Sequence, residues 1–214
     1  MASARRIAGK LSSVCASHAQ GRDGILNAVR GGIDSIEHGI FMDETCIEEM
    51  VERGTVVVPT LAAIVNILAG ASKGIPDYVI EKAERVADVH RKAITAFYKA
   101  GGRIAMGTDA GTPFNMHGKN THELAHMVDN GMTPVDTLVA ATATAADLCQ
   151  LGDRGRIRDG AVADFLLVDG NPVADIAAVA DRANHRAVIK DGAVYAGSLG
   201  APHSAIRAVP NAAQ

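Results

Sequence analysis

Between residues 11 and 110 one pattern repeats: a short apolar run, then a longer segment with apolar residues every three or four positions. "LSSVCASHA" is small and partly β-branched, and predicts a strand ending near His18. "GRDGILNAVRGG" predicts a short helix closed by Gly31-Gly32. "IDSIEHG" predicts a second strand, ending at His38. "DETCIEEMVERG" predicts a helix capped by Asp43 and stopped at Gly54. "TVVVPT" is apolar throughout, as in a strand buried on both faces of a parallel sheet, and Pro59 ends it.

A long helix comes next, from residue 76 to about residue 100, with Pro76 in its first turn and Gly101-Gly102 at its end. Val79, Ala83, Val86, Ala87, Ile94, Phe97 and Tyr98 form its apolar stripe. His90 falls on that stripe and reads as a core-edge histidine with a hydrogen-bond partner. "RIAMGTDAG" predicts a fourth strand, ending at Asp109. In "NTHELAHMVDNG", Asn120 and Glu123 have the spacing of a capping box at a helix start. "TPVDTLVAATATAADLCQ" predicts one more helix, entered through Pro134. Met106, Met116, Met127 and Met132 read as packing residues.

The pattern changes near residue 152, where short apolar runs alternate with Gly, Asp, Asn and Pro turns. The Asp-Gly of "KDGAV" predicts a tight hairpin turn. Strands alternating with helices imply an α/β fold with a parallel sheet, and right-handed connections curl four such units one way. Four units make an open sheet or half of an eight-stranded barrel. The chain divides into residues 1–150 (α/β), 151–197 (β) and a disordered tail, 198–214.

Composition narrows the function. A net charge of −3 argues against a general nucleic-acid binder. No apolar run is long enough to span a membrane. Arg5-Arg6 has the look of a twin-arginine signal, but Lys10, Ser12 and Ser13 leave no clean apolar stretch after it, so it is not read as one. Cys15, Cys46 and Cys149 are scattered and odd in number, which favours a reducing, cytoplasmic location.

His18, His38 and Asp109 each fall at the C-terminal end of a predicted strand. In a (β/α)8 barrel that end is where active sites are built. Imidazole with carboxylate suits zinc, with manganese, iron or nickel as alternatives. A competing signal is "HELAH" at residues 122–126, which matches the zinc-protease pattern H-E-x-x-H. No glutamate comes after Glu123 to serve as third ligand, and positions 129 and 132 are Asp and Met where the extended motif needs Gly and His. Glu123 then reads as a cap, and His122 and His126 as surface or loop-facing residues.

"SHAQG…GGIDSIEHG…GTDAG…HGKNTHEL…GMTPVDTLVAATATAADL…ADFLLVDGNPVADI…VIKDG" resembles the later half of metal-dependent amidohydrolases of the imidazolonepropionase-like and dipeptidase-like group, from about residue 10 to 197. The resemblance implies the second half of a TIM-type (β/α)8 barrel, strands five to eight, with the C-terminal strands of a small flanking β-sandwich. It implies that His18 and His38 bind metal and that Asp109 binds metal and shuttles a proton. His117 is implied to contact substrate. The cofactor would be zinc or another divalent metal, one or two ions in a complete site. The reaction would be hydrolysis of an amide-type C–N bond in a cyclic amide, dipeptide or N-acyl amino acid.

Departures bear on whether the chain acts alone. The family's H-x-H is absent, and Lys10 precedes the fifth strand, so it cannot serve as the bridging lysine at the end of the fourth. Gln20 stands where close relatives often have a second histidine. A half barrel also exposes its interior: ~400 Å² of apolar face forfeits on the order of 10 kcal/mol. A complementary barrel half or self-association is therefore expected. Three readings stand: an amidohydrolase completed by its missing half, a non-catalytic remnant or partner-binding subunit, and a zinc peptidase using HELAH.

Overall fold

The computed structural model describes residues 13–200; the Arg5-Arg6 pair, Lys10 and the tail from residue 201 lie outside the described residues. The architecture is α/β, with two three-stranded sheets among the described residues. Strands β1 (Ala16–Ala19), β2 (Ser35–His38) and β3 (Val56–Val58) run parallel in sequence order. Each is followed by a helix: α1 (Arg22–Arg30), α2 (Glu44–Arg53) and α3 (Leu61–Ala69). A 23-residue helix, α4 (Asp77–Lys99), completes this region. Among the described residues no helix is long and apolar enough to cross a membrane.

The local signals act as their chemistry dictates. The Asp43 side chain accepts the Cys46 N–H at 2.9 Å, capping α2, and Gly54 closes that helix at φ 68°. A cap of this kind is worth about 1 kcal/mol. Pro76 stands just before α4 instead of inside its first turn. Ala83, His90, Ala93, Ile94 and Phe97 of α4 are buried. Ile94 and Phe97 meet Ile25, Val29, Ile36, Met50 and Val57 in the main core.

One helix is absent from the sequence reading and one expected strand needs correction. The segment "LAAIVNILA" after Pro59 is helix α3, which the apolar pattern did not separate from its surroundings. The expected fourth strand is reduced to one parallel bridge, Val57 with Ile104. There the Val57 N–H bonds Arg103 O and the Ala105 N–H bonds Val57 O, both at 2.9 Å. Beyond it the backbone finds other partners. The Met106 N–H bonds Ala140 O at 3.0 Å, and the Asn115 side chain takes the carbonyls of Thr108 and Asp109. Gly107 allows the close approach to β3, since a Cβ there would stand 2.4 Å from Val58 Cγ1.

Helix α5 (His122–Asp129) comes after the Asp109 loop, then α6 (Pro134–Val139), a π-helical turn (Ala140–Thr144) and α7 (Ala145–Leu148). The expected single helix is thus wound wide at its middle. Of the four methionines read as packing, Met106, Met127 and Met132 pack in the core and Met116 is exposed.

The second sheet is antiparallel: β4 (Phe165–Val168), β5 (His185–Lys190) and β6 (Ala193–Gly197), in that order. Asp191 and Gly192 turn the β5–β6 hairpin with φ 50° and 79°, the double left-handed geometry that Asp-Gly favours. A short helix, α8 (Ala177–Ala180), packs near α5, with Ile176 and Val179 against Leu124. Phe165, Leu166, Leu167, Val194 and Tyr195 remain exposed on this sheet.

Candidate functional site

β1 alternates, with Ser17 and Ala19 buried and Ala16 and His18 exposed. His18 therefore projects from the sheet face that the helices leave uncovered. In register beside it stands Glu37. His38, the next residue, adopts φ 73°, and this left-handed turn ends β2. The two imidazoles meet edge to face, ring centroids 4.4 Å apart, with His18 Nδ1 and His38 Nε2 separated by 2.9 Å. A cleft of about 190 Å³ is lined by His18, Glu37, His38, Val58, Thr60, Gly107, Thr108 and Asp109.

The hydrogen bonds around His38 fix its proton. The Thr60 hydroxyl donates to Pro59 O at 2.7 Å, and a hydroxyl has only one hydrogen to give. Thr60 Oγ1 must then accept from His38 Nδ1, also 2.7 Å away. The proton sits on Nδ1, so Nε2 presents a lone pair toward His18 Nδ1–H. His18 Nε2 in turn accepts from the Gln20 side-chain amide at 3.3 Å. Burial and the neighbouring His18 hold the His38 imidazole below the usual histidine range, with Asp109 pulling the other way. His38 is also held at its backbone. His90 is fully buried, deeper than the core edge expected, and its Nε2 donates to His38 O at 2.9 Å. Burial pushes the His90 imidazole down to about 4, keeping it neutral.

Asp109 reaches the same cleft at φ 53°. Asn115, itself buried, donates through Nδ2 to Thr108 O at 2.5 Å and Asp109 O at 3.1 Å. Asn120 Nδ2 donates to Thr108 Oγ1 at 2.9 Å. The two asparagines hold the loop that presents the Asp109 carboxylate. His117 lies on that loop, exposed, its Nε2 close over Gly111. Three sequence-derived candidates thus share one cleft, and the fourth borders the loop that carries Asp109. Among the described residues, no group of three or more His, Cys, Asp or Glu side chains stands in position to hold a metal ion.

Sequence reasoning missed Glu37, Thr60 and Asn115. Burial raises the Glu37 carboxyl above the usual range, the Ser35 hydroxyl bond at 2.7 Å lowers it, and Asp109 raises it further. The "EH" of "SIEHG" carried a signal for Glu37, since the residue before a strand-end ligand shares the sheet face with the ligand of the neighbouring strand. Thr60 had none, because nothing local reveals a hydroxyl's partner 22 residues away.

HELAH has a different role from either reading. Glu123 is fully buried, and its two oxygens accept the Leu61 N–H at 2.8 Å and the Ala62 N–H at 2.7 Å. It caps α3, not its own helix, so the expected capping box with Asn120 does not form. With both oxygens engaged, Glu123 is not the free base a peptidase needs. His122 is exposed and His126 half-buried. Burial raises the Glu123 carboxyl to about 7 against the opposing pull of the two amides.

Two imidazoles meet at the ends of adjacent parallel strands, where barrel folds build their sites. The amidohydrolase family profile matches residues 1–194, and the chain belongs to that family. It is 34% identical over 174 residues to ochratoxinase of Aspergillus niger, covering 79% of this chain and 35% of that protein. An uncharacterised protein of Mycobacterium tuberculosis is 33% identical over 158 residues, covering 73% and 41%. Among solved structures, a Xaa-Pro dipeptidase with bound methionine superposes at TM-score 0.81, with 37% identity over 89% of this chain and 46% of that one. A prolidase complexed with N-methylphosphonate-L-proline gives TM-score 0.82, with 30% identity, 89% and 47% coverage. The chain therefore spans less than half the length of these relatives, and its α/β fold is consistent with a partial TIM barrel.

Proposed function

We propose that the chain supplies the second half of a metal-dependent amidohydrolase barrel, and that the complete protein hydrolyses the C–N bond of a dipeptide or N-acyl amino acid. β1, β2, β3 and the Ile104 segment correspond in this reading to barrel strands five to eight. Residues 151–197 correspond to part of the flanking β-sandwich. The single observation that carries the reading is the meeting of His18 and His38 at adjacent strand ends, with Asp109 lining the same cleft.

The donor set fits a divalent cation. Two nitrogens bound to one tetrahedral zinc stand ~3.4 Å apart, given Zn–N bonds of ~2.0–2.1 Å. The observed 2.9 Å needs opening by about half an ångström. Thr60 holds the far nitrogen of His38, as an outer partner of a metal-bound imidazole does. His18 and His38 would hold zinc or another divalent metal. When bound, the cation supplies Lewis acidity, which acidifies water to a pKa of ~7 and polarises a carbonyl.

The chain's own residues do the rest. Asp109 accepts the proton released as water attacks the amide carbonyl, then returns it to the departing nitrogen. Asn115 and Asn120 hold its loop in reach. His117, exposed on that loop, contacts the substrate. The Xaa-Pro dipeptidase and prolidase likenesses support a substrate with an amide next to a carboxylate. The other metal ligands come from a complementary barrel half, on a longer chain or on a partner. The exposed β1 face and the uncovered apolar residues of β4 and β6 agree with such a complement.

A second reading, a non-catalytic partner-binding subunit, draws on two observations: the two imidazoles bond each other, and no three described ligand side chains converge. Metal content separates the readings. Wild type and His122→Ala are expected to retain zinc, while His18→Ala loses it, with parallel loss of hydrolysis of an N-acyl amino acid in the completed protein. Zinc absent from the wild type supports the second reading.

A further inference from the structure

Helix α3 lacks a cap of its own. Its N-cap residue is Thr60, a type that normally turns its hydroxyl to the first amides of the helix. Here the Thr60 side chain makes no such bond, because its oxygen serves His38 Nδ1 and Pro59 O instead. The first turn of α3 also carries no acidic residue. Two of its leading amides would be orphaned in a buried place, which is costly.

The missing cap arrives from Glu123, 62 residues beyond Leu61 and 61 beyond Ala62. The Glu123 oxygens take the first two amides of α3, Leu61 and Ala62, of which the second lies where an N-cap hydroxyl normally bonds. Thr60 itself sits at φ 53° and ψ 42°, a left-handed conformation unfavourable for a β-branched residue. Such conformations persist only where surrounding bonds over-determine them. Thr60 is restrained on one side by His38 and Pro59 and on the other by the helix that Glu123 anchors.

We propose that Glu123 is a positioning residue for His38, acting through the N-terminus of α3 and the Thr60 hydroxyl. The inference rests on the reading of His38 as a metal ligand. Glu123 satisfies the helix and so releases Thr60 to hold the imidazole with its proton on Nδ1 and its Nε2 lone pair toward the cleft. Without Glu123 the orphaned Ala62 amide competes for the Thr60 oxygen, and the ring loses its fixed tautomer. The glutamate of HELAH therefore serves a metal site one helix away and none of its own.

The test uses the full chain, metal-free and with zinc alone. ¹⁵N spectra of the His38 ring are expected to show the Nδ1–H tautomer in wild type and in Thr60→Ser. Glu123→Gln, Glu123→Ala and Thr60→Val are expected to shift it to a mixture. Zinc affinity should fall about 10- to 100-fold in those three variants, the range seen when an outer partner of a ligand is removed. Met127→Ala, buried on the same helix and unable to accept α3's amides as Glu123 does, serves as the destabilised control and should leave the ring unchanged. If Glu123→Ala fails to fold, Glu123→Gln and Thr60→Val carry the comparison. A His38 ring unaltered in Glu123→Gln overturns the proposal. A wild-type chain that binds no zinc overturns the metal reading alone, because the metal-free ring spectrum still decides the role of Glu123.

Discussion

His18 Nδ1 and His38 Nε2 face each other across 2.9 Å, with the shared proton on His18. A cation can take both lone pairs only if that proton leaves. The His18 ring must move it to Nε2, where Gln20 must then present its carbonyl oxygen instead of its amide. Equimolar zinc is therefore expected to switch His18 from the Nδ1–H to the Nε2–H tautomer while His38 stays Nδ1–H. Ring ¹⁵N shifts check this, and an unchanged His18 tautomer on saturation counts against the site.

Glu123 makes stability depend on pH in an unusual direction. Its folded carboxyl titrates near 7 against an ordinary 4.5. Between those values the folded chain holds a proton that the unfolded chain has released. The stability from this group is fully present below about pH 4.5 and is lost as pH rises through about 7, on the order of 3 kcal/mol. Urea melts at several pH values check it. The stability difference between wild type and Glu123→Gln should shift by that amount across the window and stay flat above it.

Gly107 lies against Val58, so a methyl group there has no room. Gly107→Ala is expected to destabilise by ~1–3 kcal/mol, and to loosen the Asp109 loop. The cost should shrink in a Val58→Ala background, because the two changes share one space. A double-mutant cycle by denaturant unfolding measures it, and additive costs would place the strain elsewhere.

The three thiols differ in access. Cys149 is exposed, Cys15 intermediate and Cys46 buried, with burial pushing the Cys46 thiol up to about 11. Timed alkylation of the native chain should modify Cys149 first and Cys46 last, since the thiolate is the reactive form. Mass spectrometry of the peptides gives the order.

The range of each interaction decides whether its signal is legible in the sequence. Asp43, Gly54 and the Asp191-Gly192 turn act within a few residues of themselves, and their signals were readable. Helix α3 was not, because "LAAIVNILA" is apolar on nearly every side and its cap comes from Glu123. The fourth strand misled for a related reason. "RIAMG" has a strand's composition, but past Ala105 the backbone bonds Ala140 and then, at Thr108 and Asp109, the Asn115 side chain, whose contributions no local window contains. At the site, strand ends predicted which residues gather. The bonds that set the direction of each ring proton come from Thr60 and Gln20, one of them in an element the pattern did not resolve.

The wide turn at Ala140–Thr144 has a consequence of its own. Its Ala140 carbonyl accepts the Met106 N–H, three residues before Asp109. Deleting one alanine from "AATAT" would let the helix rewind to its ordinary pitch, return that oxygen to an intrahelical amide, and unfasten the segment. A single surplus residue, invisible as a motif, thus works as the clasp that keeps a distant carboxylate in place.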